Sequence, residues 1–268
     1  MKAALFGSIL LASVLLVAIA APWIAPWDAN LQFLEKRLEG PSAQHWLGLD
    51  ELGRDVLSRL LWGARISLAV GCAVVSLATI VGTLAGSIAG FAGGRVDALV
   101  MRTTEVFQAF PGILLAIALV AVLGPALEHL IFALVVVGWV GTARLVRAQV
   151  MAITAREFVA AARASGLARW RVLFHHVLPH VWPILLVQAT LGMAGAIVAE
   201  AALSFLGLGV PPPTASWGSM INAGRSHLLD APHVALFPGL AIFLLVLALN
   251  LCGDALSERW TGGGEKLR

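Results

Sequence analysis

The sequence predicts an all-α integral membrane protein, and composition, long apolar stretches and Gly/Pro punctuation all point to that class. Apolar residues make up 59% of the 268 residues, charged residues only 12%, and the mean hydropathy is +0.90. A soluble domain usually has about 45–50% apolar and about 25% charged residues. Because so few charges cannot cover a water-soluble core of this size, lipid is the expected solvent.

Six apolar stretches are candidates for membrane spans, each of which needs about 20 mainly apolar residues. Helices are required because backbone polar groups in lipid must pair within their own segment. Glycine and proline separate the stretches, and Pro111-Gly112 inside the third predicts a kink there. The predicted spans are 4–21, 66–91, 104–123, 130–147, 183–205 and 234–252.

The distribution of arginine and lysine predicts that both termini are cytoplasmic. With the N-terminus inside, twelve of the 18 basic residues fall in cytoplasmic segments, and five of the other six lie in one long loop. Short cytoplasmic segments carry such an excess, and long loops weigh less. We therefore expect residues 1–65 to form a transmembrane helix and an extracytoplasmic segment, 66–255 a core of five helices, and 256–268 a cytoplasmic tail.

The first stretch also has features of a secretory signal, because Lys2 precedes an apolar run that ends near Ala20. The apolar region of a signal usually has about 7–15 residues. Here the uncharged run extends from Ala3 to Ala21. We therefore expect the helix to be retained.

Sequence motifs for catalysis or metal binding are absent. The chain has no Gly-x-x-x-x-Gly-Lys-Ser/Thr phosphate loop and no His-Glu-x-x-His motif. Cys72 and Cys252 lie in apolar runs without a partner at metal-ligand spacing. Basic residues form no stripe interleaved with aromatic residues, so nucleic acid is not an expected partner. We expect no catalytic residue, no metal and no cofactor bound by this chain.

Residues 156–180 predict two short cytoplasmic helices. The first half is rich in alanine, with apolar residues at Phe158, Ala161 and Ala162, and Gly166 is placed to end it in a left-handed turn. Pro179 is expected to end the second helix, one face of which would carry Trp170, Leu173, Phe174 and Val177. Two interpretations stay open: a compact knob for another protein's groove, and a hairpin on lipid headgroups with its arginines on phosphate.

The same segment resembles the EAA loop of ABC-importer permeases. That pattern is Glu-Ala-Ala, three residues, Gly, nine residues, Ile, one residue and Leu-Pro. Ala160 stands where Glu is usual and His176 where Ile is usual, but Glu157 lies one turn earlier and supplies a nearby carboxylate. The pattern falls on Ala160, Ala161, Ala162, Gly166, His176, Leu178 and Pro179.

Four further segments are similar to the dipeptide, oligopeptide and nickel permeases of that family, so the resemblance covers about residues 40–255. It implies a type I importer permease with six transmembrane helices in the bacterial inner membrane, the second of two homologous permeases. The implied partners are two cytoplasmic ATPases that use ATP and Mg, and an extracytoplasmic solute-binding protein. The segments are Trp46–Arg59, Gly90–Asp97, Leu203–Gly209 and Trp217-Gly218.

The resemblance also implies alternating access, in which the ATPases move residues 157–178 and tilt the fourth and fifth spans. The small side chains of Ala161, Ala162 and Gly166 would allow close approach to the ATPase. Phe158 and Leu173 would anchor this joint.

Glu200 is a carboxylate inside the fifth predicted span. A charge near the bilayer centre costs about 2.5–3.5 kcal/mol on insertion scales, and such residues usually face a cavity or a partner. Two interpretations remain: Glu200 lies near the outer end and accepts a hydrogen bond from Ser204 or the loop backbone, or it lines an outer gate with Ser204.

Other functions and cargoes also remain open. Peptides are the first choice of cargo, and nickel or a metal–chelator complex is the second. A secondary transporter would show internal repeats or in-membrane charges for ion coupling, and a membrane scaffold would not need the 156–180 segment.

Overall fold

The computed structural model describes residues 2–261, which form helices joined by loops, with no strand among them. Of the predicted tail, residues 256–261 continue the last helix and 262–268 lie outside the described residues. The helices are α1 Lys2–Ile24, α2 Val56–Ala92, α3 Gly94–Gln108, α4 Gly112–Leu123, α5 Leu127–Thr154, α6 Glu157–Ala164, α7 Arg169–Val172, α8 Trp182–Phe205, α9 Trp217–Gly224 and α10 His233–Thr261.

Five helices, α1, α2, α5, α8 and α10, are long and apolar enough to cross a membrane, and the number rises to six if the bent pair of α3 and α4 is taken as one span. The all-α membrane class is thereby confirmed. Helix α2 starts at Val56, ten residues before the predicted span, because Asp55 caps it by accepting a hydrogen bond from the Ser58 N–H at 2.8 Å. Hydropathy missed this first turn because Ser58 and Arg59 are polar but buried within the protein.

The third predicted span is not one kinked helix. Helix α3 ends at Gln108, α4 begins at Gly112, and their axes differ by 81°. Pro111 is the residue that caps α4, where its missing N–H and fixed φ do no harm. The expected kink at Pro111 is therefore a complete break.

Helix α2 packs directly on the backbone of α5 through three glycines spaced one turn apart. A Cβ added at Gly82 would lie 2.7 Å from the Trp139 carbonyl oxygen, one at Gly86 2.3 Å from that of Ala143, and one at Gly90 2.7 Å from that of Arg147. Only glycine permits such an approach, which is the small-xxx-small contact of membrane helices. The contact fixes α2 against the helix that leads into residues 156–180.

The two ends of the bundle differ in character. At one end, α6 and α7 connect α5 to α8, and we call this the α6–α7 end. At the other, which we call the loop end, lie residues 25–55 and 206–232. Apolar side chains pack between the helices along the bundle, with one cluster around Val70, Val120 and Leu130 and another beneath α6 and α7.

Candidate coupling segment and membrane groove

Gly166 forms the turn between α6 and α7, as predicted. Its φ is +77°, in the left-handed region that glycine adopts without strain. Its N–H donates to the Arg163 carbonyl oxygen at 3.0 Å. A Cβ at this position would meet no described atom within 4 Å. The position therefore favours glycine for its backbone conformation and not for lack of space.

The inner face of residues 156–180 packs on α5 of the same chain. Val159 and Val172 are fully buried and belong to one cluster with Val146 and Val150 of α5. Ala162 is also buried, whereas Ala160 and Ala161 are exposed. Of the three alanines in the motif, the first two therefore face away from the chain.

Several side chains of the second half lie differently from the prediction. Leu173 is only 1% exposed inside this chain, so it anchors the segment to its own helices and not to a partner. Trp170 and Phe174 are 63% and 52% exposed, whereas Leu173 and Val177 are buried, so the four residues expected on one face have different surroundings. A π-helical turn covers Leu173–Val177, and this wider turn shifts the side chains after Leu173 out of the 3.6-residue register, whereas Trp170 lies before it in α7.

Pro179 does not end the helical path. Residues Leu178–His180 form a 3-10 turn that leads directly into α8 at Trp182. Proline fits the first turn of a helix because its missing N–H would be unpaired there in any case. The connection to the membrane-spanning α8 is therefore continuous.

The remaining motif residues have distinct surroundings. Glu157 is exposed in the first turn of α6, where the helix dipole favours a carboxylate. The ring of Phe158 is 38% exposed and lies 5.2 Å from the ring of His180. Leu178 is half-buried, and the buried Nδ1 of His176 has no hydrogen-bond partner in the described part of the chain.

A groove of about 220 Å³ lies between α2, α5 and α8. Its walls are mainly small or apolar, with Gly138, Gly192 and Gly195 among them, and a Cβ added at Gly195 would meet no atom of a neighbouring element within 4 Å in the described part of the chain. The polar side chains in the lining are Thr79, Thr142 and Gln188. This groove was not predicted from the sequence, although glycines inside apolar stretches are a signal for it.

Glu200 lies in α8 and is fully buried, with serines of α2 and α8 beside its carboxylate. Ser204 donates to its Oε1 at 2.8 Å, and Ser67 of α2 donates to its Oε2 at 3.2 Å. The hydrogen bond expected from Ser204 is therefore present. Ser204 in addition lines a cavity of about 450 Å³ at the loop end, and the outer-gate role of both residues stays a prediction.

We predict that Glu200→Leu lowers the thermal stability of the permease, because the buried hydroxyls of Ser67 and Ser204 lose their acceptor. An unsatisfied buried polar group costs about 1–3 kcal/mol, and each kcal/mol corresponds to about 2–4 °C in a protein of this size. Thermal unfolding of the purified protein in detergent measures the shift. Glu128→Leu, at an exposed position of α5, is the control, and equal stability of the two variants would contradict the assignment.

A buried ionic network organises the loop end, where sequence reasoning singled out Trp46–Arg59 by resemblance alone. Asp50 accepts from Arg54 Nε at 2.7 Å and lies 3.4 Å from Arg59 Nε. Arg59 also donates to the carbonyl oxygens of Ala29 and Pro213. Charged residues at 50, 54 and 59, directly before an apolar stretch, are the signal that could have indicated this network.

Two family models match the chain. The model described as the binding-protein-dependent transport system inner membrane component matches residues 82–260, and the N-terminal TM domain of oligopeptide transport permease C matches residues 2–41. The chain belongs to the permease family of binding-protein-dependent ABC importers. The permease is accordingly a transport subunit and a multi-pass membrane protein, and the secondary-transporter and scaffold interpretations are not favoured.

Curated relatives match the permease over nearly its whole length. A dipeptide transport system permease protein, DppC, of Alkalihalophilus pseudofirmus is 44% identical over 96% of this chain and 84% of the relative. A glutathione transport system permease protein, GsiD, of Escherichia coli is 47% identical over 96% of this chain and 84% of the relative. The GsiD of Pectobacterium atrosepticum is 45% identical over 91% and 82%.

The fold is shared with a solved transporter. An inward-facing structure of the MetNI methionine ABC transporter aligns with a TM-score of 0.62, covering 75% of the permease and 95% of that chain at 19% identity. The expected type I permease fold is thereby confirmed. Permeases of this family generally work with ATPase and binding-protein subunits.

Proposed function

We propose that the permease forms half of a translocation pathway for di- or oligopeptides in the bacterial inner membrane. Its relatives include permeases named for dipeptide and glutathione transport, and both names denote peptide cargoes. The observation that carries the proposal is the groove between α2, α5 and α8, whose small side chains leave room for a variable cargo. The amide of Gln188, which donates and accepts hydrogen bonds, is suited to a peptide backbone.

In this proposal the other half of the pathway is a second homologous permease. Two cytoplasmic ATPases use ATP and Mg, and an extracytoplasmic binding protein delivers the peptide. This chain holds no nucleotide itself, a view supported by the absence of a phosphate loop from its sequence. A nickel or metal–chelator cargo has no comparable support, since the described residues contain no group of three His, Cys, Asp or Glu side chains placed for a metal.

Reconstitution of the complete transporter in proteoliposomes tests the function. We expect the peptide-loaded binding protein to stimulate ATP hydrolysis and to drive peptide accumulation inside the vesicles. The permease purified alone should bind no nucleotide. Stimulation by nickel in place of peptide, or nucleotide binding by the isolated permease, would contradict the proposal.

We place the α6–α7 end in the cytoplasm. The structure brings Arg95, Arg147 and Arg163 to that end, where Arg147 pairs with Asp97 and Arg163 lies over Phe91. Enrichment of arginine at one end is typical of the cytoplasmic side. The loop end, with residues 25–55, is then extracytoplasmic.

Cysteine labelling in a variant lacking Cys72 and Cys252 tests this orientation. Ala43→Cys and Ala168→Cys place single thiols at exposed positions of opposite ends. We expect a membrane-impermeant maleimide to label position 43 in intact spheroplasts and position 168 only after lysis. The reverse pattern would overturn the orientation.

We further propose that residues 156–180 transmit ATPase movement to the membrane helices. Phe158, Ala160 and Ala161 are exposed and available to a partner, while Val159 and Val172 are fully buried in the cluster beneath α6 and α7. A segment packed this firmly on α5 and continuous with α8 moves with both helices. It therefore has the stiffness that mechanical coupling requires.

A further inference from the structure

A cleft lies where the α6–α7 end meets the membrane-spanning part of α2. It has a volume of about 180 Å³ and is formed by Ile88, Phe91 and Ala92 of α2 together with Arg169, Trp170 and Leu173. One wall is therefore an apolar membrane helix and the other carries a guanidinium. The cleft is separate from the groove between α2, α5 and α8.

The cleft has a surplus of positive charge. Arg169 forms part of its lining, and the guanidinium of Arg163 lies 5.3 Å from the ring centroid of Phe91. Neither arginine pairs with a carboxylate in the part of the chain that the structure describes. By contrast, Arg147 and Arg102 at the same end both have acidic partners. An anion is therefore the complementary ligand.

The apolar wall continues along the outside of α2. Leu84 and Ile88 are 54% and 42% exposed and lie two residues after Gly82 and Gly86, on the side of the helix away from α5. Trp170 is 63% exposed and stacks on Phe174 with ring centroids 6.4 Å apart. Tryptophan with arginine at the end of an apolar helix is typical of the membrane–water interface.

We propose that this cleft binds one anionic phospholipid. The phosphate lies between Arg163 and Arg169, and one acyl chain follows Ile88 and Leu84 into the bilayer. Basic pockets beside membrane helices commonly recognise anionic headgroups. The lipid would fix α7 to the end of α2, so that the base of the 156–180 segment rests on both protein and membrane.

Native mass spectrometry of the complete transporter, extracted from membranes that contain phosphatidylglycerol and phosphatidylethanolamine, tests the proposal. The double variant Arg163→Gln/Arg169→Gln is expected to retain one phosphatidylglycerol fewer per complex than the wild type. Ile88→Trp should lose the same lipid without any change of charge, because the indole fills the cleft. Arg102→Gln removes an exposed arginine that pairs with Glu105, and this control should keep the wild-type count.

Three results would overturn the proposal. The first is an unchanged phosphatidylglycerol count in both cleft variants. The second is equal retention of phosphatidylethanolamine at the site, which would exclude recognition of the negative charge. The third is loss of the ATPase subunits from the double variant with lipid retention intact, which would assign the two arginines to the contact between subunits.

Discussion

Replacing Gly166 by valine is expected to reduce uptake to background while the permease remains in the membrane at near-normal levels. With φ at +77°, a β-branched residue is strained even though space is free around the Cα. A residue forced into such a conformation costs about 1–3 kcal/mol. The turn is expected to rearrange instead, which would displace α6 from its place on α5.

Proline and asparagine at the same position distinguish an effect of backbone conformation from an effect of adding a side chain. Gly166→Pro fixes φ near −65° and removes the N–H that donates to Arg163, so it should be at least as damaging as valine. Gly166→Asn should retain most uptake, because asparagine tolerates the left-handed region. Uptake assays, immunoblots of membranes and recovery of the ATPases in pull-downs give the three readouts. Wild-type transport by the valine and proline variants would refute the coupling role.

Two adjacent alanines give a matched pair for the same joint. Ala160 and Ala161 are both exposed on α6, but the family pattern has glutamate at the position of Ala160. We therefore expect Ala160→Glu to transport and Ala161→Glu to fail, because the second variant places a charge where close packing on the ATPase is expected. Equal behaviour of the two variants would show that this face makes no specific contact.

Gly86→Leu is expected to prevent stable folding of the permease. The Cβ alone would lie 2.3 Å from the backbone oxygen of Ala143 and 2.9 Å from the Val146 Cβ, so α2 and α5 must separate along their length. Overpacking a core usually costs about 1–3 kcal/mol. Here the clash is with a backbone atom, so a change of side-chain rotamer cannot relieve it. We expect little monodisperse protein on size-exclusion chromatography and a lowered unfolding temperature for Gly86→Ala.

Gly141 supplies the control for that experiment. It lies in α5, the same helix that Gly86 contacts, yet a Cβ at this position meets no atom within 4 Å. Gly141→Ala should therefore unfold at the wild-type temperature. If Gly86→Ala and Gly141→Ala are equally stable, the α2–α5 contact is looser than the structure indicates.

The long membrane helices were predictable from the sequence, because in lipid the backbone N–H and C=O groups must pair within their own segment. The early start of α2 was not, since Ser58 and Arg59 look solvent-exposed by hydropathy and are buried by contacts with distant segments. The faces of residues 156–180 were also missed in part. Assigning faces by a period of 3.6 residues assumes a regular α-helix. Residues Leu173–Val177 instead form a π-helical turn with a different hydrogen-bond pattern, so this period does not apply there.

The backbone conformation of single residues was predicted better than the burial of side chains, which depends on contacts between distant helices. Gly166 was assigned to a left-handed turn from its place after an alanine-rich helix, and its φ agrees. Which of Ala161 and Ala162 faces the chain depends on where α5 lies, and the local sequence holds no such information. The groove around Gly138 and Gly195 likewise requires three helices to be placed relative to one another.

The break between α3 and α4 has a consequence for the surrounding bilayer. Helix α4 has 12 residues and so spans about 18 Å, against about 30 Å of hydrocarbon in a typical membrane. Helix α3 turns away by 81° and carries Arg95, Asp97 and Arg102, charged side chains that are costly to place in hydrocarbon. A short apolar helix is accommodated by local thinning of the bilayer, by snorkelling of flanking residues or by oligomerisation, and thinning would bring the headgroups closer to α4 on the α6–α7 side.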